Sequence, residues 1–398
     1  MSVNGFVKVF SSTCMAATPL PKHHRELPRR QTAWCKTFWL AGVLSVAAAS
    51  LAALRCAAQD AALAQNSQIA GLLARAQQGR AQDEVKLGVA LQFGQGVAAD
   101  PFQAAHWFLK AANQGDPAGQ TDIGYLYLAG YGVARDEHEA FRWLQRAAVE
   151  DYAPAQAGLG YLLLSGLGGK QDRESGAYWI ARAAQHGFEA AEVNLGMLYA
   201  RGIGVTRDRS EALRWFRKAA RQRFAPAEFL LGTAYETGNG VKQDFVEAVR
   251  WYRRAAERGY PPAQNNLATL YRAGIGVARD PQEAARWYRL AAEQGNASAR
   301  VNLARAYSQA EGVESDYALA YFWALLVQPG EPGIAGEPIQ DFIQTVRSRI
   351  PSDEAARVEA QVEEWRRNHL MGEQGWYRVN MSTGPCFVSV SSIFVGEK

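Results

Sequence analysis

Apolar residues recur along this chain with a helical spacing that stops and restarts. Within residues 190–225, the stretch "AAEVNLGMLYARG" places Val193, Leu195, Leu198 and Tyr199 on one stripe, and Gly202 ends it as glycine ends a helix. Gly204 and Val205 turn the chain, and "SEALRWFRKAARQ" predicts a second helix that buries Ala212, Trp215 or Phe216, and Ala219. Asp208 stands at the N-cap of that second helix, and Glu211 three residues on completes a capping-box pattern. The same Asp-x-x-Glu/Gln spacing recurs with Gln103, Glu139, Glu247 and Glu283, while Pro101 and Pro281 occupy first helical positions, where a missing N–H does no harm.

The helix pair returns every 36 residues. Trp107, Trp143, Trp179, Trp215, Trp251, Trp287 and Trp323 keep this step, as do Asp100, Asp136, Asp172, Asp208, Asp244, Asp280 and Asp316. A glycine row keeps it too: Gly96, Gly132, Gly168, Gly204, Gly240, Gly276 and Gly312. Seven copies in unbroken register are architecture, an array in which each unit buries its apolar face against its neighbours. The Gly-x-Gly of residues 274–276, which opens like a phosphate loop, is therefore a turn between helices. Within the first helix of each pair (helix A), a tiny residue recurs at Gly88, Gly124, Gly160, Gly196, Gly232, Ala268 and Ala304. Mid-helix glycine is unfavourable by about 1 kcal/mol against alanine, so its repetition predicts close packing. The expected partners are the small pairs of the second helix (helix B), such as Ala147-Ala148 and Ala255-Ala256.

These residues (a small-residue helix A, Gly-x-Gly-Val, a capping Asp, then Ala-x-x-Trp-Tyr/Phe and Ala-Ala) resemble the Sel-1-like repeat family, a longer-period relative of the tetratricopeptide repeats. The resemblance covers residues 84–328, with local departures: Gly168-Gly169 replaces Gly-Val, Ala310 replaces the first glycine, and Val327-Gln328 replaces the last Ala-Ala. It implies an all-α fold, a right-handed α-solenoid of seven 36-residue helix-turn-helix repeats with helical caps at both ends. It further implies a non-enzymatic scaffold or adaptor for a protein or peptide partner, with no catalytic residues to carry over. Residues 65–83 include a half-repeat, "SQIAGLLARAQQG", that caps the start. Residues 329–370 contain two helices split by Pro351 that close the far end. Residues 371–398 differ in composition and admit either a small hairpin or an unstructured end.

Charge narrows the partners. The chain carries a net +4, but residues 1–64 hold seven Lys and Arg against two acids, which leaves the remainder at −1. A near-neutral body lacks the basic footprint that nucleic-acid binding requires. Cys14, Cys35, Cys56 and Cys386 all fall outside the repeats, and the six histidines show no ligand spacing, so neither metal nor cofactor is expected. Residues 37–54, "TFWLAGVLSVAAASLAAL", follow a basic run and read as the apolar core of a secretory leader, with Ala62-Leu63-Ala64 before Gln65 as a cleavage site. Retained, residues 1–64 act as an amino-terminal membrane anchor instead. In both cases the repeats are expected in the periplasm or cell envelope, and membrane contact is confined to this segment.

Comparison between copies separates framework from freedom. Positions one and four after the small residue of helix A vary and share a face. Tyr125, Leu128, Tyr161, Leu164 and Met197 make it apolar in the second to fourth repeats, whereas Glu236, Arg272 and Arg305 make it polar in the fifth to seventh. The resemblance places helix A on the concave side, so these residues are the candidate partner-binding groove. Asn194, Asn266 and Asn302, two positions before the small residue, form a secondary candidate row for a bound peptide backbone. Arg142, Arg214, Arg250 and Arg286 each follow a glutamate by three residues and read as a solvated, charge-balanced face. The competing function is an envelope hydrolase or β-lactam-interacting protein. The chain contains no Ser-x-x-Lys, Ser-Asp-Asn, Lys-Thr-Gly or Gly-x-Ser-x-Gly for the common serine acyl-enzymes.

Overall fold

A computed structural model describes residues 67–327 and 339–382; residues 1–66, 328–338 and 383–398 lie outside it. The described part is all-α. A single helix, α1 (Ser67–Gln77), precedes seven A/B pairs. The pairs are α2 (Ala81–Phe93) with α3 (Pro101–Asn113), α4 (Pro117–Ala129) with α5 (Glu137–Val149), and α6 (Ala153–Ser165) with α7 (Arg173–Gln185). They continue as α8 (Glu189–Arg201) with α9 (Arg209–Arg221), α10 (Ala225–Thr237) with α11 (Phe245–Glu257), α12 (Pro261–Ala273) with α13 (Pro281–Glu293), and α14 (Ala297–Gln309) with α15 (Tyr317–Leu325). Each helix packs on its sequence neighbours, and contact also runs between successive A helices such as α2, α4 and α6, which is the arrangement of a solenoid.

The small residue of helix A does what its position suggests, against a different partner from the one expected. A Cβ on Gly196 would fall 2.5 Å from the Phe216 ring, one on Gly232 2.6 Å from Tyr252, and one on Gly160 2.6 Å from Ile180. The partner is thus the residue after the tryptophan. The alanine pair meets the next repeat instead: a Cβ on Gly119 would fall 2.7 Å from Ala111. Of Trp215 and Phe216, it is Phe216 that is buried in the A/B interface of its own repeat, while Trp215 packs at the edge of the preceding core around Leu195 and Ile180. Lys110, Arg146, Arg182, Lys218 and Arg254 lie over the tryptophan three residues earlier, with the cation 4.7–5.7 Å from the ring centre.

All seven aspartates cap. Asp208 Oδ1 accepts from the backbone N–H groups of Ser210 and Glu211 at 2.9 and 3.0 Å, and the other six bond their own helix starts in the same way. Only this half of the capping box forms. The aspartate N–H that a returning glutamate would accept from is already bound to a helix A carbonyl, as Asp208 N–H is to Tyr199 at 2.9 Å. Glu139, Glu211 and Glu283 turn outward to Arg142, Arg214 and Arg286 at 2.7–2.9 Å, and Glu247 pairs with Arg250. The exposed face is charge-balanced, and each such pair contributes only a few tenths of about 1 kcal/mol.

At the C-terminal end, α16 (Ile339–Arg347) and α17 (Ser352–Ser382) close the last repeat. Val346, Ala355, Val358 and Val362 join the core of Tyr307, Tyr321 and Trp323. Arg300 and Arg366 donate to the terminal carbonyls of Leu326 and Leu325, both at 2.7 Å. The helix does not stop at residue 370, where the change in composition set the boundary of the tail; its backbone stays helical to Ser382. No described helix is long and apolar enough to cross a membrane.

The two turn glycines carry different burdens. The first caps helix A in the left-handed region, and Ala310 takes its place in the last repeat at φ 55°. The second lies against the preceding helix B: a Cβ on Gly204 would sit 2.0 Å from the Arg173 carbonyl oxygen. Gly202→Ala is therefore expected to destabilise by about 1 kcal/mol, the intrinsic penalty of a left-handed alanine. Gly204→Ala should add displacement of a backbone carbonyl to that penalty and unfold at clearly lower denaturant; equal midpoints for the two would refute the distinction.

Candidate partner-binding face

The predicted face divides on inspection. Tyr125 is 4% exposed, and its hydroxyl donates to the Pro154 carbonyl at 2.7 Å. The ring has room because the next helix A carries Gly158, whose Cβ would meet the Tyr125 hydroxyl at 2.7 Å. Leu164 is 5% exposed and fills space left by Gly176, where other B helices mostly carry alanine. Both belong to the core, which corrects their assignment to an open groove. Leu128, Tyr161 and Met197 stay half-buried, with one side against the core and the other toward solvent. Burial pushes the Tyr161 phenol above its usual range.

The polar half is knitted together internally. Tyr252 donates to Glu236, shares a hydrogen bond with Thr233 at 3.1 Å, and accepts from Asn266 Nδ2 at 3.3 Å. Burial, then Glu236, raises the Tyr252 phenol far above its ordinary value. One repeat on, Thr269 and the Tyr288 hydroxyl are 2.9 Å apart, and Arg272 faces Glu311 at 3.8 Å. Asn302 Nδ2 donates to Asn265 Oδ1 at 3.0 Å. Asn266 and Asn302 thus hold the floor together rather than stand open for a peptide; Asn194 and Arg305 are half-buried beside them in the same columns. The sequence carries a signal for this network: threonine one position after the small residue occurs only where helix B places tyrosine after its tryptophan, at Thr233/Tyr252 and Thr269/Tyr288.

Helix A carries a second periodic row. Glu84, Gln120, Gln156, Glu192, Glu228, Gln264 and Arg300 hold the fourth position of each helix A, and all are buried. This position faces the end of the preceding helix B, whose last carbonyls lack intrahelical donors. Gln156 and Gln264 supply one, to Ala148 and Ala256 at 3.2 Å, and Arg300 does so to Ala292 at 3.3 Å. Glutamate has no proton to give, so those copies add a cation. Lys218 lies 2.9 Å from Glu192 and donates to Ala184 at 2.9 Å, Lys110 pairs with Glu84 at 2.9 Å, and Arg258 pairs with Glu228 at 2.9 Å. The row joins repeat to repeat and offers nothing to a ligand.

One carboxylate on this face stands apart. Asp122 occupies the column of Lys86, Asn194 and Asn266, is half-buried, and has no hydrogen bond or ion pair among the described residues. Its pKa is raised to about 7, chiefly by burial and secondarily by Asp116. Among the described residues, no cluster of three or more His, Cys, Asp or Glu could hold a metal.

These features define a helical-repeat solenoid whose variable helix A columns are mostly consumed by packing. The Sel1 repeat model matches seven consecutive segments, 82–116, 117–148, 153–188, 189–224, 225–260, 261–296 and 297–326, and the chain belongs to this family. Among solved structures it is similar to a Sel1 repeat protein from Oxalobacter formigenes, at 31% identity over 69% of this chain and 78% of that one, with a TM-score of 0.55. It is also similar to a protective antigen with the same repeat fold from uropathogenic Escherichia coli, at 26% identity over 77% of this chain and 80% of that one, with a TM-score of 0.42. No curated protein matches the chain.

Two measurements check this description. Lys218→Ala leaves the buried Glu192 carboxylate without its cation and should destabilise by about 1–3 kcal/mol, discounted because the lysine is partly exposed. Adding Glu192→Gln, the residue found at Gln156, should recover most of the loss in denaturant unfolding. For Asp122, a folded pKa above the ordinary carboxylate value of 3.8 means that ionisation opposes folding. The penalty is absent below the unfolded pKa, grows as pH rises toward about 7, and is constant above. Asp122→Asn is therefore expected to raise the melting temperature at pH 8 and leave it unchanged at pH 4; a pH-independent difference would contradict the assignment.

Proposed function

We propose that this chain is an exported, non-enzymatic scaffold of the cell envelope that holds a partner protein or peptide against the A helices of its second to fourth repeats. Sel1 repeat proteins are generally protein-interaction scaffolds, and a solenoid is suited to the task because its rigid array presents the same columns side by side. One observation carries the choice of surface. In three successive repeats an apolar side chain (Leu128, Tyr161, Met197) stays half-buried, whereas Tyr125 and Leu164 in the same columns are core and Thr233, Glu236, Thr269 and Arg272 are bonded. Asp122, in the first of these three repeats, supplies a carboxylate with no hydrogen bond or ion pair among the described residues, suited to a basic group on the partner. Export rests on the leader pattern of residues 37–64, which lie outside the described residues. The hydrolase alternative gains no supporting group from the described residues.

The test is capture of partners from a crosslinked envelope fraction. The chain is compared with a Leu128→Ser/Tyr161→Ala/Met197→Ala variant shown by circular dichroism to be folded. Loss of a captured protein with the variant alone supports both scaffold and surface. Capture of the same protein by both forms moves the surface elsewhere, and capture by neither counts against the scaffold reading.

A further inference from the structure

One helix B departs from the charge balance of the others. Residues 207–223, which span α9 and its flanks, hold seven Lys and Arg against two acids. In the matching windows of the other six repeats, basic residues never exceed acids by more than one. Part of this charge is engaged: Arg214 pairs with Glu211, Lys218 with the buried Glu192, and Arg207 donates to the Ala200 carbonyl at 3.1 Å. The side chains of Arg209, Arg217, Arg221 and Arg223 make no hydrogen bond or ion pair among the described residues. All but the half-buried Arg217 are exposed. Arg214, Arg217 and Arg221, at i, i+3 and i+7, share one stripe of α9, and Arg223 follows its end.

Two of these cations stand where the fold gains nothing from them. Arg209 is the first residue of α9, where a positive charge opposes the helix dipole. Arg223 holds φ 63° in the column that is glycine at Gly79, Gly115, Gly187, Gly259 and Gly295, and a side chain is strained in that region.

The neighbours of the stripe indicate what it meets. Tyr178 of α7 holds the column of Arg214 one repeat earlier; it is 56% exposed and stands edge-on to Trp179. Val246 of α11 holds the column of Ser210 one repeat later and is 51% exposed. Two separate apolar side chains are too few for the desolvated centre of a protein interface. An anionic lipid layer requires no such centre. Guanidinium forks bond phosphates wherever these lie, and a phenol ring rests at headgroup level.

We propose that α9 is a lipid-binding face, on which Arg217, Arg221 and Arg223 bind the phosphates of an anionic membrane surface and Tyr178 enters the headgroup layer. This extends membrane contact beyond the amino-terminal segment and is independent of the partner face on the A helices.

Arginine labelling by phenylglyoxal, read residue by residue by mass spectrometry on the full chain, tests this. Vesicles of phosphatidylglycerol and phosphatidylcholine in equal parts should slow labelling of Arg217, Arg221 and Arg223 by about fivefold or more. Salt at about 0.5 M should remove the protection. Arg142 and Arg286, on helices without the excess charge, should label as fast as before. In Arg217→Gln/Arg223→Gly, which restores the glycine of the other repeats and is checked for folding by circular dichroism, protection of Arg221 should fall by about half or more. Labelling of the stripe that the anionic vesicles do not slow overturns the proposal. Equal protection by phosphatidylcholine alone, or equal slowing at Arg142 and Arg286, marks general shielding and overturns it too. Protection by soluble polyglutamate as strong as by the vesicles assigns the face to an acidic protein, which also rules the proposal out.

Discussion

The solenoid depends on a side chain that is missing. At the eighth position of each helix A, glycine or alanine lets helix B come close enough for the residue after its tryptophan to lie across the helix A backbone. In four of the five glycine copies an added Cβ would stand within 2.6 Å of that residue. A mid-helix glycine weakens helix A on its own. It is compensated by burial of a ring or branched chain, worth about 1.5–3 kcal/mol each. Because the contact recurs every 36 residues, each pair takes the same crossing, and the pairs can stack. The second turn glycine then sets the next pair against the backbone of the last, and the fourth-position polar row satisfies the helix ends that this stacking buries.

That economy explains why the helix A face offers few free groups. Once the small column draws helix B inward, the positions beside it become floor. A tyrosine hydroxyl after the tryptophan cannot be buried unbonded, so Tyr252 and Tyr288 gather Thr233, Glu236, Asn266 and Thr269 around them. Where the same helix B position is Leu, Ile or Phe, no such demand exists, and Leu128, Tyr161 and Met197 are left partly open. Variation at these columns between copies therefore has two sources, a neighbour's packing needs and freedom from them. The functional reading belongs only to the second.

The columns of the repeat were legible because each is a local decision made seven times. Helix spacing, the capping aspartates, the turn glycines and the exposed Glu–Arg pairs depend on residues a few positions apart, and their recurrence removes ambiguity. The fourth-position row was equally legible as a column of only Glu, Gln or Arg, but its meaning needed the knowledge that the preceding helix B ends against it. The candidate face was legible as a set of variable positions with an apolar and a polar half, but not in which of those positions are packed away.

Tertiary structure decided which of those positions face solvent. Tyr125 is core because Gly158, 33 residues away, opens room for its ring, and Leu164 is core because Gly176 does the same. Asn266 and Asn302 are spent on Tyr252 and Asn265 because adjacent repeats bring those partners within reach. Sequence alone determined the period, the helices, their caps and the close A/B approach, since all of these follow from short-range geometry and from the burial each repeat demands. It could not rank half-exposed side chains, because exposure there depends on the volume of a neighbour in the next repeat, and that is a property of packed helices in three dimensions.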